Sequence, residues 1–434
     1  MPDTMSFLHD LGWSDLPPLA QIRVKMSLLD LIAIAAGAQD TQLTRIIADH
    51  AVAQFGGPHP MVFDARTASH AGVALALGMR IDSLDGHDGF NPSKGHIGCS
   101  LFPAALTLAQ VRGASGAEFL ATLAMGYEVG ARAAIAQHAS APDYHTSGSW
   151  GAVAAAAASA RQLQLSGAQT RHALGIAEYH GPRSQMMRCI DHPTMVKDGS
   201  GWGAMTGVSA AFLAQAGFTG APALIVEDAP DVWADLGQRW YVTEQYFKPY
   251  PVCRWAQAPI EAALALRRAH GFAPGDIASV EIESFHACIR LATANPEATD
   301  EAQYSTSFPV ALALLHGDIR PEHLSDAAIT DPAAQHLSGL ISMREHDHAN
   351  AAFPLTRLAR VTITLFSGQR LTSDWHEPRW DYTAPPSPDE ISAKFRAYAG
   401  PVLGPARTRA IKDCVDDLEH RDLAELGALL FAPV

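Results

Sequence analysis

The sequence has little of what a nucleic-acid-binding or membrane protein needs. Lys/Arg-rich runs are missing, and 45 acidic residues against 31 basic ones give a formal net charge of −14. Proteins that bind the negatively charged phosphate backbone carry an excess of basic residues, so we expect no nucleic-acid partner. The apolar stretches are broken by glycine, serine or charge before the ~20 residues that a bilayer requires, so we expect no membrane partner.

Cysteine is also scarce. Five cysteines in 434 residues, none in a C-x-x-C pair, argue against a disulfide framework or a zinc knuckle. The segment Glu345-His346-Asp347-His348 looks metal-like, but no second cluster has ligand spacing, so we expect a solvated loop and no metal. The N-terminus lacks a basic region followed by a long apolar stretch, which predicts a cytoplasmic protein without a signal peptide.

Motifs for nucleotides and for covalent catalysis are missing as well. Gly148-Ser149-Trp150-Gly151 lacks the preceding strand and the third glycine of a dinucleotide-binding loop. Ser93-Lys94-Gly95 is not a Walker motif, and no G-x-S-x-G elbow occurs. Other residues must therefore carry the function.

Helical periodicity is what the first half of the sequence contains instead. Hydrophobic residues make up 48% of the chain, enough for more than one core. Apolar positions at helical spacing predict helices over 19–37, 71–79, 101–111, 117–134, 150–165 and 202–216. The alanine stretch 153–160 predicts a central helix that its neighbours approach closely.

The pattern changes at Lys248-Pro249-Tyr250-Pro251, where two close prolines force an extended path. Beyond it we predict strands over 277–285 and 360–366, a hairpin continuing into 370–375, and helices around 302–316 and 321–330. Helical patterns return over 388–398, 406–418 and 423–430. The predicted fold is mainly α. Residues 1–247 and 385–434 form a large helical domain, with a smaller α+β domain, 248–384, inserted between them.

Three polar, glycine-containing loops each lead into a helix of small residues. They contain Asp85 and His96, His145, and Lys197, respectively. A helix N-terminus attracts carboxylates and disfavours protonation of a nearby imidazole. If the three termini converge, they form an anion pocket with neutral histidines that can accept a proton near pH 7. A single loop of this kind is more often only a helix cap, and a single histidine among 20 is more often structural or exposed.

At these loops the sequence resembles the MmgE/PrpD family, and the resemblance runs over most of the chain. It rests on the order and spacing of several segments: Ser83-Leu84-Asp85 with His96, Gly126-Tyr127-Glu128-Val129 with Arg132, Tyr144-His145, Met195-Val196-Lys197, Lys248-Pro249-Tyr250-Pro251-Val252-Cys253-Arg254 and Ala302-Gln303-Tyr304-Ser305. The resemblance implies a helical domain with an α+β lid, a homodimer, a small polycarboxylate substrate and no cofactor.

The resemblance also implies site residues at the matching positions. Those expected to be catalytic are His145, His96, Asp85 and Lys197. Those expected to bind substrate are Arg254, Lys197, Tyr144, Asp88, Ser200 and Gln257. The sequence departs from the family pattern at Gly86 and Thr146, where members commonly have Asp and Pro, and at Ser200 and Gln257, where some members have His.

The chemistry that the family implies starts at a C–H bond next to a carboxylate. We assign His145 as the base, His96 as the acid and Asp85 as its orienting partner, with the opposite assignment of the two histidines left open. Lys197 and Arg254 would neutralise the developing negative charge. Dehydration of a hydroxy-di- or tricarboxylate, as by 2-methylcitrate dehydratase, is the expected reaction. The alternatives are epimerisation as by iminodisuccinate epimerase, decarboxylation as by cis-aconitate decarboxylase, and an inactive helical binding or scaffold protein.

Overall fold

Helices dominate the computed structural model, which describes residues 4–141, 143–291 and 293–434. Their bounds are α1 (Thr4–Asp10), α2 (Pro18–Gly37), α3 (Gln42–Gln54), α4 (His70–Asp82), α5 (Gly98–Arg112), α6 (Gly116–Ser140), α7 (Gly148–Gln162), α8 (Gly167–His180), α9 (Met187–Asp191), α10 (Ser200–Gln215), α11 (Leu224–Glu227), α12 (Pro230–Trp233), α13 (Arg254–His270), α14 (His286–Ile289), α15 (Thr299–Gln303), α16 (Ser307–His316), α17 (Pro332–Gly339), α18 (Asp347–Ala352), α19 (Pro388–Asp416) and α20 (Leu423–Leu430). Among the described residues, no helix is both long and apolar enough to cross a membrane.

In the described part of the chain, the strands form one four-stranded sheet and two short antiparallel pairs. Their bounds are β1 (His59–Pro60), β2 (Thr67–Ala68), β3 (Gly89–Phe90), β4 (Gln245–Tyr246), β5 (Ile277–Ser284), β6 (Ile341–Glu345), β7 (Ala359–Leu365) and β8 (Arg370–Thr372). The sheet order is β6-β5-β7-β8, with β5 parallel to β6 and antiparallel to β7. Buried sheet residues such as Ile282 and Ile363 share a core with Ile260 of α13 and Phe308 of α16. This sheet and its helices form the α+β part of the molecule.

The alanine-rich helix α7 lies at the centre of the helical core, as its composition predicts. Its residues from Gly148 to Ala160 are all buried. Small side chains let α10 approach α7 so closely that a Cβ added at Gly207 would lie 2.5 Å from the Ala155 Cβ and 2.6 Å from the Ala152 carbonyl oxygen. The absence of a side chain at Gly207 is therefore a requirement of this helix packing.

The close packing brings the N-terminal ends of α5, α7 and α10 together. The Gly148 N–H at the start of α7 donates to the Asp198 carbonyl, just before α10, at 3.0 Å. Ser100 in the first turn of α5 donates to the carbonyl of Ser200, the first residue of α10, at 2.8 Å. The three helix starts thus converge, as the anion-pocket hypothesis requires.

The C-terminal helix α19 packs against α2. Its Lys394 is buried, with Nζ 2.5 Å from Asp30 Oδ1 in α2, and donates to the Gly86 carbonyl at 2.6 Å. The helix is kinked at Gly404, where φ is 74°. The tail therefore contacts the N-terminal helices and the loop after α4, whereas the division into domains at residues 247 and 384 stays a prediction.

Most predicted helices and strands are present, with ends shifted by a few residues, and the β7–β8 hairpin is confirmed. Helices α3, α8 and α17 and strand β6 were not predicted. The helix predicted over 321–330 is wrong, because only Pro321–Leu324 form a 3-10 turn. The Ser325 hydroxyl accepts a hydrogen bond from the Ala328 N–H, a local turn that competes with a helix. The segment 345–348 links β6 to α18 rather than forming a loop throughout.

Replacing Gly207 by alanine should destabilise the protein, because the new methyl group has no space between α10 and α7. We expect a loss of about 1–3 kcal/mol, the usual cost of overpacking a core, seen as a lower midpoint in thermal or urea unfolding. Gly400 in α19 is the matched control, since no atom of the described residues lies within 4 Å of a Cβ added there. Gly400→Ala should be neutral or stabilising by up to ~1 kcal/mol. Equal effects of the two substitutions would contradict the close packing.

Candidate active site

Residues 85–96 follow the C-terminal end of α4 and form one side of the candidate site. Within them, β3 pairs with β4, which lies far along the chain. A Cβ added at Gly89 would meet the Tyr246 hydroxyl and lie 2.9 Å from His96 Nδ1. Glycine at this position therefore lets the backbone lie against both rings, and the loop places His96 in the protein interior.

The His96 ring has a defined orientation. Its Nδ1 lies 2.7 Å from the Asp88 carbonyl oxygen, so the neutral ring carries its proton on Nδ1 and Nε2 is an acceptor. Nε2 lies 3.6 Å from Asp85 Oδ1 and 3.5 Å from Asp198 Oδ2. Burial, followed by the charge of the neighbouring His87, holds the pKa of His96 well below its usual range. The ring is therefore neutral near pH 7.

Asp85 is kept ionised by a lysine that the sequence analysis did not assign to the site. The Lys248 ammonium donates to the Asp85 side chain and, at 2.8 Å, to its backbone carbonyl. Burial alone would raise the pKa of Asp85, but attraction to the Lys248 ammonium holds it well below its usual range. Asp85 thus supplies a fixed negative charge beside a neutral imidazole.

Asp198 is the second carboxyl group beside His96. Its Oδ2 accepts a hydrogen bond from Ser147 Oγ at 2.9 Å, and its Oδ1 is buried without a hydrogen-bond partner among the described residues. Burial, with repulsion by Asp82 and Asp85, raises the pKa of Asp198 to about 8. At neutral pH one carboxyl group beside the imidazole is ionised and the other is neutral, an arrangement typical of acid–base sites.

Lys197 reaches the site from the loop before α10, with a left-handed backbone (φ 47°). Its Nζ donates to Gln303 Oε1 at 2.7 Å, lies 3.6 Å from Asp300 Oδ1 and lies 4.8 Å from the centre of the Tyr304 ring. Gln303 Oε1 also accepts from the Asp85 backbone N–H at 2.9 Å. These partners belong to α15 or directly follow it, so the α+β part supplies one wall of the site.

A cavity of about 430 Å³ lies beside Lys197. Its lining includes Thr146, Arg188, Lys197 and Gly199. Lys197 and Gly199 flank Asp198 in the chain, so the cavity borders the segment that carries this carboxyl group. Its volume falls in the range of small-molecule sites.

The side chain of His145 has different neighbours from that of His96. Within the described residues, no hydrogen bond, ion pair or ring contact joins its side chain to Asp85, His96 or Lys197; its ring neighbour is His138, with the centroids 5.9 Å apart. Both ring nitrogens of His145 are buried and have no partner in the described part of the chain. Burial and then Arg183 lower the pKa of His145. It is a neutral imidazole with both nitrogens available to a ligand.

Two residues expected to bind substrate use their polar groups within the protein. Arg254 pairs with Asp381 at 2.7 Å, and its guanidinium lies 4.1 Å from the centre of the Tyr246 ring. Gln257, one turn further along α13, donates through Nε2 to the carbonyls of Tyr250 at 3.1 Å and Val252 at 2.9 Å. Gln257 therefore holds the proline-containing segment 249–252 against the start of α13 by two hydrogen bonds.

Three further expected binding residues also have protein partners. Tyr144 donates through its hydroxyl to the Lys94 carbonyl. The Asp88 carboxyl accepts from the Tyr127 hydroxyl at 2.5 Å, and burial raises the pKa of Asp88 to about 6. The Ser200 hydroxyl accepts from the Cys99 thiol at 3.0 Å. Asp88 contributes to the site mainly through its carbonyl, which orients His96.

Sequence reasoning missed Lys248, Gln303, Ser147 and Asp198. Lys248 and Gln303 lie in segments that carry the family resemblance, so a buried charge or amide could have been suspected there. Ser147 directly precedes α7 and Asp198 directly follows Lys197, where each resembled an ordinary loop residue. No local signal distinguished Ser147 and Asp198 from such residues.

Asp85, His87 and His96 could each offer an atom to a metal ion, and those atoms lie within 4.8 Å of one another. The Asp85 oxygen, however, already accepts a hydrogen bond from the Lys248 ammonium. A second cation at this carboxylate would be repelled by the first. The arrangement fits an ion-paired acid–base cluster better than a metal centre.

The chain belongs to the MmgE/PrpD family. Residues 3–235 match the MmgE/PrpD N-terminal domain and residues 250–420 match the MmgE/PrpD C-terminal domain. A cis-aconitate decarboxylase-like protein of Aspergillus oryzae is 24% identical, over 98% of this chain and 96% of the relative. The cis-aconitate decarboxylases of Mus musculus and Homo sapiens are 25% and 24% identical, each over 83% of this chain and over 78% and 79% of their own lengths.

Replacing Lys248 by methionine should leave Asp85 as a buried, unpaired carboxylate. We expect the protein to lose about 3–5 kcal/mol of stability at neutral pH, the usual result of removing one partner of a buried pair. The double variant Lys248→Met/Asp85→Asn should recover part of this loss in thermal unfolding, because no unpaired charge remains.

The loss of stability caused by Lys248→Met should depend on pH. Without Lys248, burial should raise the pKa of Asp85 above its unfolded value. The cost should then be full above that raised pKa and should decrease as the pH falls from it towards the unfolded value. A penalty that stayed constant between pH 8 and pH 5 would contradict the assigned ion pair.

Proposed function

We propose that this protein is a cofactor-independent lyase that removes a proton next to a carboxylate of a small polycarboxylate. The observation that carries the proposal is the buried, neutral His96 imidazole, with ionised Asp85 and neutral Asp198 on either side of its Nε2. A lone pair on a neutral imidazole is a suitable proton acceptor near pH 7. The names of the relatives, all cis-aconitate decarboxylases or decarboxylase-like, support a polycarboxylate substrate.

We assign His96 as the base, which is the alternative that the sequence left open. Its proton on Nδ1 is held by the Asp88 carbonyl, so Nε2 is the nitrogen available to the substrate. His145 remains a proposed catalytic residue, because both nitrogens of this buried imidazole are without partners among the described residues. It would meet the substrate from a different side, as a second proton acceptor or as a hydrogen-bond donor to a carboxylate.

Substrate carboxylates would be held by Lys197 and by the converging starts of α5, α7 and α10. The helix N-termini supply partial positive charge, although the first N–H of α7 already donates to the Asp198 carbonyl and that of α10 to the Asp82 carboxylate. Lys197 adds a buried point charge that can stabilise the enolate-like charge that develops when the proton leaves. Arg254 would act at the edge of the site, since its guanidinium is shared with Asp381.

Dehydration of a hydroxy-di- or tricarboxylate, like the reaction of 2-methylcitrate dehydratase, is the reaction we propose first. Decarboxylation is the second candidate, and the names of the relatives favour it. Epimerisation needs the same base with a donor on the opposite face. An inactive binding or scaffold protein is disfavoured by the polarised groups around His96, because opposed protonation states are costly to maintain in a merely structural core.

We also propose a cytoplasmic homodimer. The outer face of α10 supports this, because Leu213 is 40% and Trp202 is 38% exposed on it, with Phe212 partly buried between α10 and α4. Apolar residues at helical spacing on an exposed face suit a two-fold interface, in which the same patch meets itself.

The first test of the reaction is proton NMR of citrate, 2-methylcitrate, malate, cis-aconitate and iminodisuccinate with the enzyme in D₂O and excess chelator. We expect deuterium to enter next to a carboxylate of at least one acid, and the product to identify the reaction. His96→Gln should lower kcat/KM by about 10²–10⁴-fold, the usual contribution of a general base.

A surface substitution, Leu355→Glu at a residue that is 87% exposed, is the control and should leave turnover unchanged. Exchange that persisted in His96→Gln and vanished in His145→Gln would reverse the assignment of the base. No exchange and no turnover of any acid by the unmodified enzyme would contradict the proposed substrate class.

The dimer is tested by light scattering after gel filtration. Leu213→Glu should convert the proposed dimer to a monomer at micromolar concentration, because a carboxylate would be buried in an apolar interface. Leu355→Glu, away from α10, should remain dimeric. A monomeric unmodified protein would refute the homodimer directly.

A further inference from the structure

The proposed lyase needs a proton donor as well as a base, and the two histidines do not provide one. Burial lowers the pKa of both His96 and His145, so both are neutral near pH 7. A neutral imidazole is a very weak acid, whereas expulsion of a hydroxyl group or protonation of a carbanion requires a good one. The donor must be another group near His96.

The hydrogen bonds of Ser147 define how Asp198 is arranged. The Ser147 hydroxyl oxygen accepts a hydrogen bond from the His96 backbone N–H at 2.9 Å. Its own proton points to Asp198 Oδ2, 2.9 Å away. Oδ2 is therefore an acceptor, and a proton on the carboxyl group belongs on Oδ1. Oδ1 is buried and has no partner within the described residues.

Asp85 and Asp198 differ in their cation partners. Asp85 accepts from the Lys248 ammonium, but no salt bridge to a lysine or arginine is formed by Asp198 in the described part of the chain. Asp82 and Asp85 instead repel the charged form of its carboxyl group. The site thus contains one carboxylate fitted to stay charged and one carboxyl group fitted to hold a proton.

We propose that Asp198 is the general acid of the site, donating its Oδ1 proton to the substrate while His96 Nε2 accepts one. The inference rests on the proposed lyase function and extends it by a residue that the sequence did not indicate. Its neighbours in the chain, Lys197 and Gly199, line the 430 Å³ cavity, so a substrate there lies beside the segment that carries Asp198.

His96 and Asp198 together account for every proton that moves in a dehydration. His96 Nε2 takes the proton from the carbon next to the carboxylate, and the C–H electron pair forms the new C=C bond. The C–O bond breaks, and the leaving hydroxyl takes the Asp198 proton and departs as water. The products are a His96 imidazolium and an Asp198 carboxylate, with Nε2 and Oδ2 3.5 Å apart. Transfer of that proton from His96 to Asp198 restores the starting state.

The test compares Asp198→Asn, which keeps the shape and the acceptor for Ser147, with Asp82→Asn, a neighbouring buried carboxyl group. Proton exchange in D₂O reports the base alone, and elimination of water reports base and acid together. We expect Asp198→Asn to lose elimination by about 10²–10⁴-fold and to keep exchange. In Asp82→Asn any loss should affect both steps equally.

A substrate analogue with fluorine in place of the hydroxyl group separates donation from structure, because fluoride needs far less help from an acid. Asp198→Asn should eliminate fluoride within about tenfold of the unmodified enzyme, a difference of at most ~1.4 kcal/mol. The pH profile gives a second readout. Elimination should decline above about pH 8, where Asp198 loses its proton, and this limb should be missing from Asp198→Asn.

An infrared measurement tests the protonated carboxyl group without any substrate. The difference spectrum between the unmodified protein and Asp198→Asn at pH 7 should contain the carbonyl band of a neutral carboxylic acid. Absence of that band would overturn the assignment of Asp198, whatever the reaction. If the band is present but no acid of the panel reacts, the proposed function fails, and the donor role is refuted with it. Parallel loss of exchange and elimination in Asp198→Asn would also overturn the proposal.

Discussion

The buried ion pair between Lys248 and Asp85 is the contact on which the rest of the candidate site depends. It joins two residues that are 163 positions apart, and the same ammonium holds the Asp85 backbone carbonyl. An unpaired carboxylate at this depth would be costly. Burial, with repulsion by Asp82 and Asp85, disfavours ionisation of Asp198, and burial disfavours protonation of His96. The salt bridge thus keeps Asp85 charged, and that charge contributes to keeping Asp198 protonated.

Much of the fold was predictable because its signals are local. The alanine-rich segment of α7 and the helix-spaced apolar residues of α2 and α10 indicated helices without reference to the rest of the chain. Strand β6 was not predictable in this way, since its residues are partly exposed and its partner β5 lies about sixty residues earlier. The 321–330 error has a similar cause, because a helix-compatible composition there is overruled by the local turn at Ser325.

The candidate site was predictable only in outline. Asp85, His96, His145 and Lys197 could be named because each precedes a helix of small residues and matches a family segment. Which of them are neighbours depends on distances: His96 lies beside Asp85, whereas the ring neighbour of His145 is His138. For Gln257, the sequence suggested a role that the contacts in the structure do not support. Its position suggested substrate binding, but its amide group is used to hold the backbone at Tyr250 and Val252.

Lys394 and Lys248 both hold the loop that begins at Asp85, yet both are encoded well after it. On the ribosome, Asp30 and Asp85 emerge long before the cations that will neutralise them. A nascent or truncated chain that lacks Lys248 and Lys394 would therefore have the site residues without the charge pairing that the folded protein gives them.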